Sequence, residues 1–145
     1  MNKTQQGMLQ ICQINISGLS QRSYTALDKY NHSIQNNILA IQETLIDTDD
    51  DTKLLPEFSN MKSFYLKNDR GVCTSVMSNL LPQRVLELED NMVDAVWVTF
   101  SENSSVYLLG NVYANPHNDS NNLKAVIKNI SNALVYAARY KIKMS

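Results

Sequence analysis

The sequence predicts a mixed α/β (α+β) sandwich in which helices cover the outer faces of the sheet structure. Three observations support this class: a strand, helix, strand order at the start, a series of short β-rich segments separated by turn residues, and a long amphipathic helix near the end. A strand, helix, strand unit places its two strands in parallel, whereas hairpins make antiparallel pairs. The strands are therefore expected to form mixed sheet structure with helices packed outside it.

The first three elements lie within residues 8–42. Residues 8–16 (MLQICQINI) carry apolar side chains on both alternating sets, which predicts a strand covered on both faces. Residues 23–36 follow as an amphipathic helix, because apolar side chains recur there at three- and four-residue steps. These side chains are Tyr24, Leu27, Tyr30 and Ile34. Residues 38–42 form a short second strand that stops at Glu43.

The remaining elements are several strands and one helix. The strands are predicted over residues 63–67, 72–77, 84–89, 95–100 and 106–112. The segments NDRG and SENSS separate the first two and the last two of them, and both contain residues that favour hairpin turns. A helix is predicted over residues 121–139, since apolar side chains share one helical face. They are Leu123, Val126, Ile127, Ile130, Leu134 and Ala138.

Composition and charge restrict the protein class. With 145 residues and 43% hydrophobic content, the chain is expected to be one domain with a real core. Its 13 basic and 14 acidic residues exclude the strongly basic proteins that hold nucleic acid by bulk attraction. No apolar run is long enough to cross a bilayer, and the polar start has no signal-peptide core. We expect Cys12 and Cys73 to be free thiols in a soluble intracellular protein without membrane contact.

Several familiar sites are excluded by their missing residues. Asp47, Asp49 and Asp51 match the first ligands of a calcium-binding EF-hand loop, but Thr52 and Phe58 stand where that loop needs glycine and glutamate. A solvated acidic loop or helix start is the better interpretation. The two histidines have no partners at zinc spacing, and no glycine-rich phosphate loop or serine nucleophile elbow is present.

One group of polar residues survives this selection, at the carboxyl ends of predicted strands. Asn15 and Ser17 follow the first strand, Glu43 follows the second, and Tyr113 and Asn115 follow the last. Strand ends at one edge of a sheet are where α/β scaffolds collect their functional groups. Taken singly, each of these residues also has a structural interpretation. Glu43 would be a surface residue that closes a strand, Asn15 a turn residue and Tyr113 a half-buried packing residue.

The three segments QINISGL, IQET and NVYANP resemble motifs of the endonuclease/exonuclease/phosphatase superfamily. Their order and spacing are most similar to those of the apurinic-type endonuclease domain of non-LTR retrotransposons. The resemblance covers nearly the whole chain and implies a four-layer αββα sandwich. It also implies that residues 1–145 form a single partial domain, since the later Gly-Asp-x-Asn motif, a further Asp and the closing Asp-His pair of the family are not found in this sequence.

The resemblance implies roles for four residues. Glu43 matches the family's metal-binding glutamate, for Mg²⁺ with Mn²⁺ as a substitute. Asn15 matches the asparagine that orders the metal and phosphate region, and Tyr113 matches a tyrosine beside the scissile phosphate. Asn115 is expected to take the usual asparagine role from a shifted loop, because relatives have Tyr-x-Pro-Asn where this chain has YANP.

Weaker correspondences surround these four. Ser17 stands where some relatives have an acidic or amide side chain that supports the metal, and its hydroxyl would bind a metal-bound water less strongly. His117 and Asn118 are lesser alternatives to Asn115. Arg70, next to Gly71, matches a glycine-rich strand entry, where it either touches phosphate or lies in a solvated turn.

By this resemblance the complete protein is a Mg²⁺-dependent DNA endonuclease that nicks target DNA by water attack, fused to a reverse transcriptase and nuclear if it serves a retrotransposon. The 145-residue chain alone is expected to have little or no activity. Two alternatives remain within the superfamily, an apurinic-site repair nuclease and a phosphatase of small phosphoesters. A third belongs to another class, a non-catalytic remnant that acts as a binding module.

Overall fold

The computed structural model of the chain describes residues 9–18, 21–34, 36–44, 58–66, 71–114 and 120–144. These residues form eight strands, two α-helices and two short 3-10 turns. In chain order, the helices and strands are β1 (Ile11–Asn15), α1 (Gln21–Ile34), β2 (Ile38–Gln42), β3 (Met61–Leu66), β4 (Val72–Met77), β5 (Gln83–Arg84), β6 (Asp94–Glu102), β7 (Ser105–Tyr113), α2 (Ser120–Arg139) and β8 (Lys143–Met144). The 3-10 turns are Ser78–Leu80 and Leu86–Leu88.

The strands form two sheets with the orders β1-β2-β4-β3 and β5-β6-β7-β8. In the first sheet β1 and β2 are parallel and the other pairs antiparallel. In the second sheet β7 and β8 are parallel and the other pairs antiparallel. Helix α1 packs on the first sheet and α2 on the second, with an apolar layer between the sheets. The four-layer αββα arrangement and the mixed strand directions are thus confirmed.

The layer between the two sheets is the largest apolar cluster in the described part of the chain. Alternate side chains of β2, β4, β6 and β7 point into it, as the two-residue period of a strand requires. Its fully buried members are Ile38, Val72, Val76, Val96, Val98 and Phe100. This packing holds the two sheets together.

Helix α1 covers the outer face of the first sheet through Leu27, which packs against Leu39 and Ile41 of β2. The predicted buried face was only partly correct. Tyr30 and Ile34 are 46% and 45% exposed, and the neighbouring Asn31 is buried instead. The helix therefore presents a narrower apolar face to the sheet than its spacing of apolar residues predicts.

Helix α2 buries a different face from the predicted one. The side chains against the second sheet are Val126, Asn129, Ala133 and Ala137, which recur at helical spacing. Of the side chains predicted to share the apolar face of this helix, Val126 is buried and the others are exposed. The exposed ones are Leu123, Ile127, Ile130, Leu134 and Ala138. Small side chains bring the helix close to the sheet.

The contact between α2 and the second sheet is fixed by a buried asparagine. Trp97 Nε1 donates to Asn129 Oδ1 at 2.8 Å, and Asn129 Nδ2 donates to the Leu88 carbonyl at 2.7 Å. Trp97 lies over Gly110 on the adjacent strand, where an added Cβ would come within 2.5 Å of two of the ring atoms. This strand position therefore requires glycine.

Two strand predictions were wrong in part. Residues 84–89 do not form one strand, because β5 ends at Arg84 and a 3-10 turn follows. Arg84 Nη2 lies 2.7 Å from Glu89 Oε1, so the segment folds back on itself. Strand β1 is not covered on both faces either: it pairs along β2 at the sheet edge, and Ile11 is 46% exposed.

Other predictions agree with the structure. β2 and β4 have the predicted bounds, and β6 and β7 form an antiparallel hairpin whose turn residues Asn103 and Ser104 have positive φ. Both cysteines are free. In the described part of the chain, neither helix is long and apolar enough to pass through a bilayer.

Candidate active site

The site is built where β1 and β2 end. These strands run in parallel with Asn15 opposite Gln42, so their carboxyl ends meet at the same edge of the first sheet. Glu43 is the next residue after β2, and its side chain is half-buried. Tyr113 is the last residue of β7 in the second sheet. The edge therefore brings together chain segments that are far apart in the sequence.

The chain leaves both strands through left-handed backbone conformations. The φ angles are 48° at Ser17, 114° at Gly18 and 56° at Glu43. A non-glycine residue in this region costs roughly 1 kcal/mol or more. Backbone hydrogen bonds hold the corner: Gly18 N–H donates to the Glu43 carbonyl at 2.7 Å, and Thr44 N–H donates to the Gly71 carbonyl at 3.3 Å. Glu43 is thereby held in one backbone orientation.

The Glu43 carboxylate is the centre of the side-chain contacts. The Tyr113 hydroxyl donates to Oε1 at 2.5 Å. The Ser17 hydroxyl donates to Oε2 at 3.4 Å, and the Ser17 N–H donates to Asn15 Oδ1 at 3.1 Å. The structure thus brings Asn15, Glu43 and Tyr113 together, with Ser17 between the first two.

Burial differs across the group. Tyr113 is 8% exposed and its ring belongs to the apolar layer between the sheets, so its hydroxyl is held at the rim of that layer. Asn15 and Ser17 are exposed. One side of the Glu43 carboxylate is therefore packed against protein and the other faces accessible polar groups.

A buried asparagine near the site was missed in the sequence. Asn111 of β7 is 3% exposed, and its Nδ2 donates to the carbonyls of Ile41 and Cys73 at 3.1 and 3.0 Å. Gln42 Nε2 donates to Asn111 Oδ1 at 3.3 Å and to the Val112 carbonyl at 3.1 Å. The available signal was a single amide on the inward-facing set of an otherwise apolar strand, where a buried polar group needs partners.

The oxygen donors of the site suit a hard divalent cation. Glu43 supplies a carboxylate, Asn15 an amide oxygen and Ser17 a hydroxyl, which are the ligand types of Mg²⁺. Among the residues that the structure describes, no cluster of three or more His, Cys, Asp or Glu could hold a metal. Glu43 is the one carboxylate of this donor set, so a Mg²⁺ ion held here would keep most of its water.

Several predicted residues lie outside the described part of the chain. Among the site residues these are Asn115, Arg70, His117 and Asn118. The acidic residues Asp47, Asp49 and Asp51 also fall there. Gly71, next to Arg70, is described: it has φ 73° and accepts the hydrogen bond from Thr44 at the corner beside Glu43.

A polar group on the α1 side of the first sheet is separate from this site. Burial raises the pKa of the Cys73 thiol to about 11, and hydrogen bonds with Ser75 and Tyr65 oppose that increase. Burial also raises the pKa of Tyr65, and the adjacent Cys73 adds to the increase. Both groups are protonated at neutral pH. Cys73 is therefore a packing residue of the α1 cluster, without the thiolate that nucleophilic chemistry needs.

No protein-family model and no curated protein matches the sequence. Solved structures do match. The endonuclease domain of TRAS1, a telomere-specific non-LTR retrotransposon, aligns with TM-score 0.65 and 15% identity over 86% of this chain and 52% of that domain. The human Nocturnin catalytic domain with bound sulfate aligns with TM-score 0.63 and 13% identity over 94% and 61%.

The AP endonuclease LMAP from Leishmania major aligns with TM-score 0.60 and 16% identity over 83% of this chain and 44% of that enzyme. The chain thus spans about half the length of these three structures, between 44% and 61%. At this level of identity the likeness establishes the fold. The chain has the fold of the endonuclease/exonuclease/phosphatase superfamily.

Proposed function

We propose that the chain supplies the metal-binding part of a Mg²⁺-dependent phosphodiesterase, a DNA endonuclease of the type found in non-LTR retrotransposons. The observation that carries the proposal is the contact of the Tyr113 hydroxyl with the Glu43 carboxylate at 2.5 Å. It joins two residues from motifs far apart in the chain at the edge of a nuclease-like fold. A packing role for either residue alone would not require them to meet.

The donor set supports a metal role for Glu43. Its carboxylate is half-buried and held by hydrogen bonds on both oxygens, so it is oriented before any ligand arrives. Mg²⁺ bound here would supply positive charge next to the scissile phosphate. Asn15, whose amide oxygen accepts from Ser17, would orient phosphate or metal-bound water through its side chain.

Tyr113 contributes a fixed hydroxyl proton. In the structure that proton is donated to Glu43, which aligns the carboxylate. With a phosphate in place, the same phenol could donate to an oxygen on which negative charge develops. Its ring is buried between the sheets, so the hydroxyl reaches this position with little loss of conformational freedom.

Hydrolysis needs further groups. Glu43 is half-buried and already in contact with Tyr113 and Ser17, which makes it a poor base for activating water. The chain also covers only 44% to 61% of the three similar structures described above. We therefore propose that this 145-residue chain alone has little activity and that a longer protein completes the site, with a fused reverse transcriptase as its expected partner domain.

Plasmid nicking tests the proposal. Supercoiled plasmid with Mg²⁺ is incubated with this chain and with a longer chain carrying a complete domain, each as wild type and as Glu43→Gln. We expect Glu43-dependent nicking by the longer chain and little by the 145-residue chain. The matched control is Glu102→Gln, which neutralises a carboxylate at the end of another strand, β6. This control should keep full activity.

The outcomes separate the competing functions. Unchanged nicking by the Glu43→Gln longer chain would remove Glu43 from the site. Cleavage restricted to an abasic duplex favours the repair nuclease, and turnover of a small phosphoester without DNA nicking favours the phosphatase. Metal-dependent DNA binding without cleavage by the longer chain would support the non-catalytic binding module instead.

A further inference from the structure

A pair of buried amides joins the two sheets directly behind the site. Asn111 uses both hydrogens of its Nδ2 on main-chain carbonyls, those of Ile41 in β2 and Cys73 in β4. These two residues are partners in the ladder between β2 and β4, so one side chain of the second sheet is attached to two adjacent strands of the first. Most of the surrounding layer is apolar, and apolar contacts are non-directional.

Gln42, on β2 of the first sheet, makes hydrogen bonds in the opposite direction. Its Nε2 donates to Asn111 Oδ1 at 3.3 Å and to the Val112 carbonyl at 3.1 Å. The bridge thus runs in both directions, with Asn111 bonded to the main chain of the first sheet and Gln42 bonded to the main chain of the second. We call these two residues, Gln42 and Asn111, the amide bridge.

The bridge lies next to the site in both sheets. Gln42 immediately precedes Glu43, and Asn111 comes two residues before Tyr113 on the same inward-facing set of β7. Hydrogen bonds are directional and lose most of their strength when misaligned, so they restrict sliding between sheets more than apolar contact does. The Tyr113 to Glu43 contact spans the same gap between the sheets.

We propose that Gln42 and Asn111 are positioning residues that fix the second sheet against the first so that the Tyr113 hydroxyl meets the Glu43 carboxylate. The inference deepens the proposed function, on which its metal-binding readout rests. The bridge acts on the site through geometry and needs no contact with metal or phosphate. Its effect should therefore be seen in the Tyr113 to Glu43 contact even when no metal is added.

Asn129 provides a matched control. It is also a buried asparagine, 2% exposed, and it also joins two groups by hydrogen bonds, Trp97 and the Leu88 carbonyl. It belongs to α2, on the side of the helix that packs against the outer face of the second sheet. Replacing Asn129 by leucine, like replacing Asn111 by leucine, removes the amide and keeps the number of side-chain heavy atoms. A general loss of stability is therefore expected in both variants.

The experiment compares Asn111→Leu with Asn129→Leu in the 145-residue chain. Two-dimensional NMR without metal measures the Overhauser contact between the Tyr113 ring and the Glu43 side chain. We expect Asn111→Leu to lose at least half of this intensity and Asn129→Leu to keep it, at a temperature where melting curves show both variants folded. Gln42→Met, which keeps side-chain length without the amide, serves if Asn111→Leu does not fold, and is expected to weaken the contact as well.

A second readout measures Mn²⁺ binding by electron paramagnetic resonance. We expect an affinity loss of about tenfold in Asn111→Leu, the range found when groups that orient a ligand are removed, and little loss in Asn129→Leu. An unchanged Overhauser contact in Asn111→Leu would overturn the inference, and so would an equal loss of that contact in Asn129→Leu. If Asn111→Leu does not fold, an unchanged contact in Gln42→Met overturns it instead. If the wild type shows no Glu43-dependent Mn²⁺ binding, the proposed metal site fails, while the Overhauser contact still decides on the bridge.

Discussion

The Tyr113 hydroxyl lies 2.5 Å from Oε1 of Glu43, although 70 residues separate them in the chain. The contact joins the end of a strand in one sheet to the residue after a strand in the other. A hydrogen bond between a hydroxyl and an ionised carboxylate is among the stronger types in proteins. It makes the position of the carboxylate depend on the packing of both sheets.

Replacing Tyr113 by phenylalanine tests this contact. The ring and its packing stay, but the bond to Glu43 is lost, so we expect a stability loss of about 1 to 2 kcal/mol in urea unfolding. Plasmid nicking by a longer, active chain should fall about tenfold or more. Tyr107→Phe is the control, since Tyr107 lies on the same strand and stacks on Phe100 away from Glu43. Equal activities of the two variants would argue against a role for the Tyr113 hydroxyl.

Gly110→Ala should destabilise the second sheet by overpacking. The new Cβ would lie 2.4 Å from the Trp97 ring, which is much closer than real contacts allow. We expect a loss of about 1 to 3 kcal/mol in the free energy of unfolding. The cost should shrink when Trp97→Leu is also present, because the smaller side chain leaves space. A double-mutant cycle by urea unfolding measures this, and strictly additive losses would contradict the overlap.

The buried Cys73 thiol should make the free energy of unfolding depend on pH in the alkaline range. Its pKa rises from 9.0 to about 11 in the folded chain because the thiol is buried. Between these values the unfolded chain loses the thiol proton and the folded chain keeps it, so folding stability falls as pH rises. We expect the wild type to lose about 2 kcal/mol more than Cys73→Ala between pH 8 and 11.

Urea unfolding of both proteins at the two pH values measures that difference. Cys73→Ala will be less stable at pH 8 because of the space it leaves, so the comparison is between the losses and not the absolute values. Other groups that titrate in this range are present in both proteins, including Tyr65, whose pKa burial also raises. Identical losses in the two proteins would show that the Cys73 thiol ionises equally in both states.

The two faces of α2 should respond differently to polar substitution. Ile127 is 56% exposed, whereas Ala133 is fully buried. We expect Ile127→Gln to change the free energy of unfolding by less than about 0.5 kcal/mol and Ala133→Gln to cost about 3 kcal/mol or more. Thermal melts at low protein concentration measure this. A large loss in Ile127→Gln would show that its face is packed in solution.

The sequence predicted the strands with uniform apolar character well. Ile38–Gln42 and Val72–Met77, the two central strands of the first sheet, have the expected bounds because their side chains are buried on both faces. The strand predicted over residues 84–89 is wrong beyond Arg84, where a 3-10 turn follows. Val85 and Leu88 of this segment pack into the apolar cluster between the second sheet and α2. These tertiary contacts, which periodicity does not report, accompany the change from strand to turn.

The face of α2 failed for a related reason. Apolar content favours the side with Ile127 and Leu134, but the face packed on the sheet includes the small Ala133, opposite the bulky Trp97 cluster, and the hydrogen-bonded Asn129. Asn15, Glu43 and Tyr113 were predicted as site residues because they lie at predicted strand ends and match the motifs of the similar family, and the structure brings them together. Asn111 was not predicted, since its partners are main-chain carbonyls, which no side-chain pattern in the sequence represents.

The parallel pairing of β1 with β2 has a consequence for how this protein can vary. Asn15 faces Gln42 in the ladder, and the left-handed residue Glu43 comes one step later. Inserting or deleting a single residue within β2 would turn every following side chain to the opposite face of the sheet. Glu43 would then point toward α1. We therefore expect natural variants to tolerate length changes in the connections between strands and to keep the spacing from Ile38 to Glu43 constant.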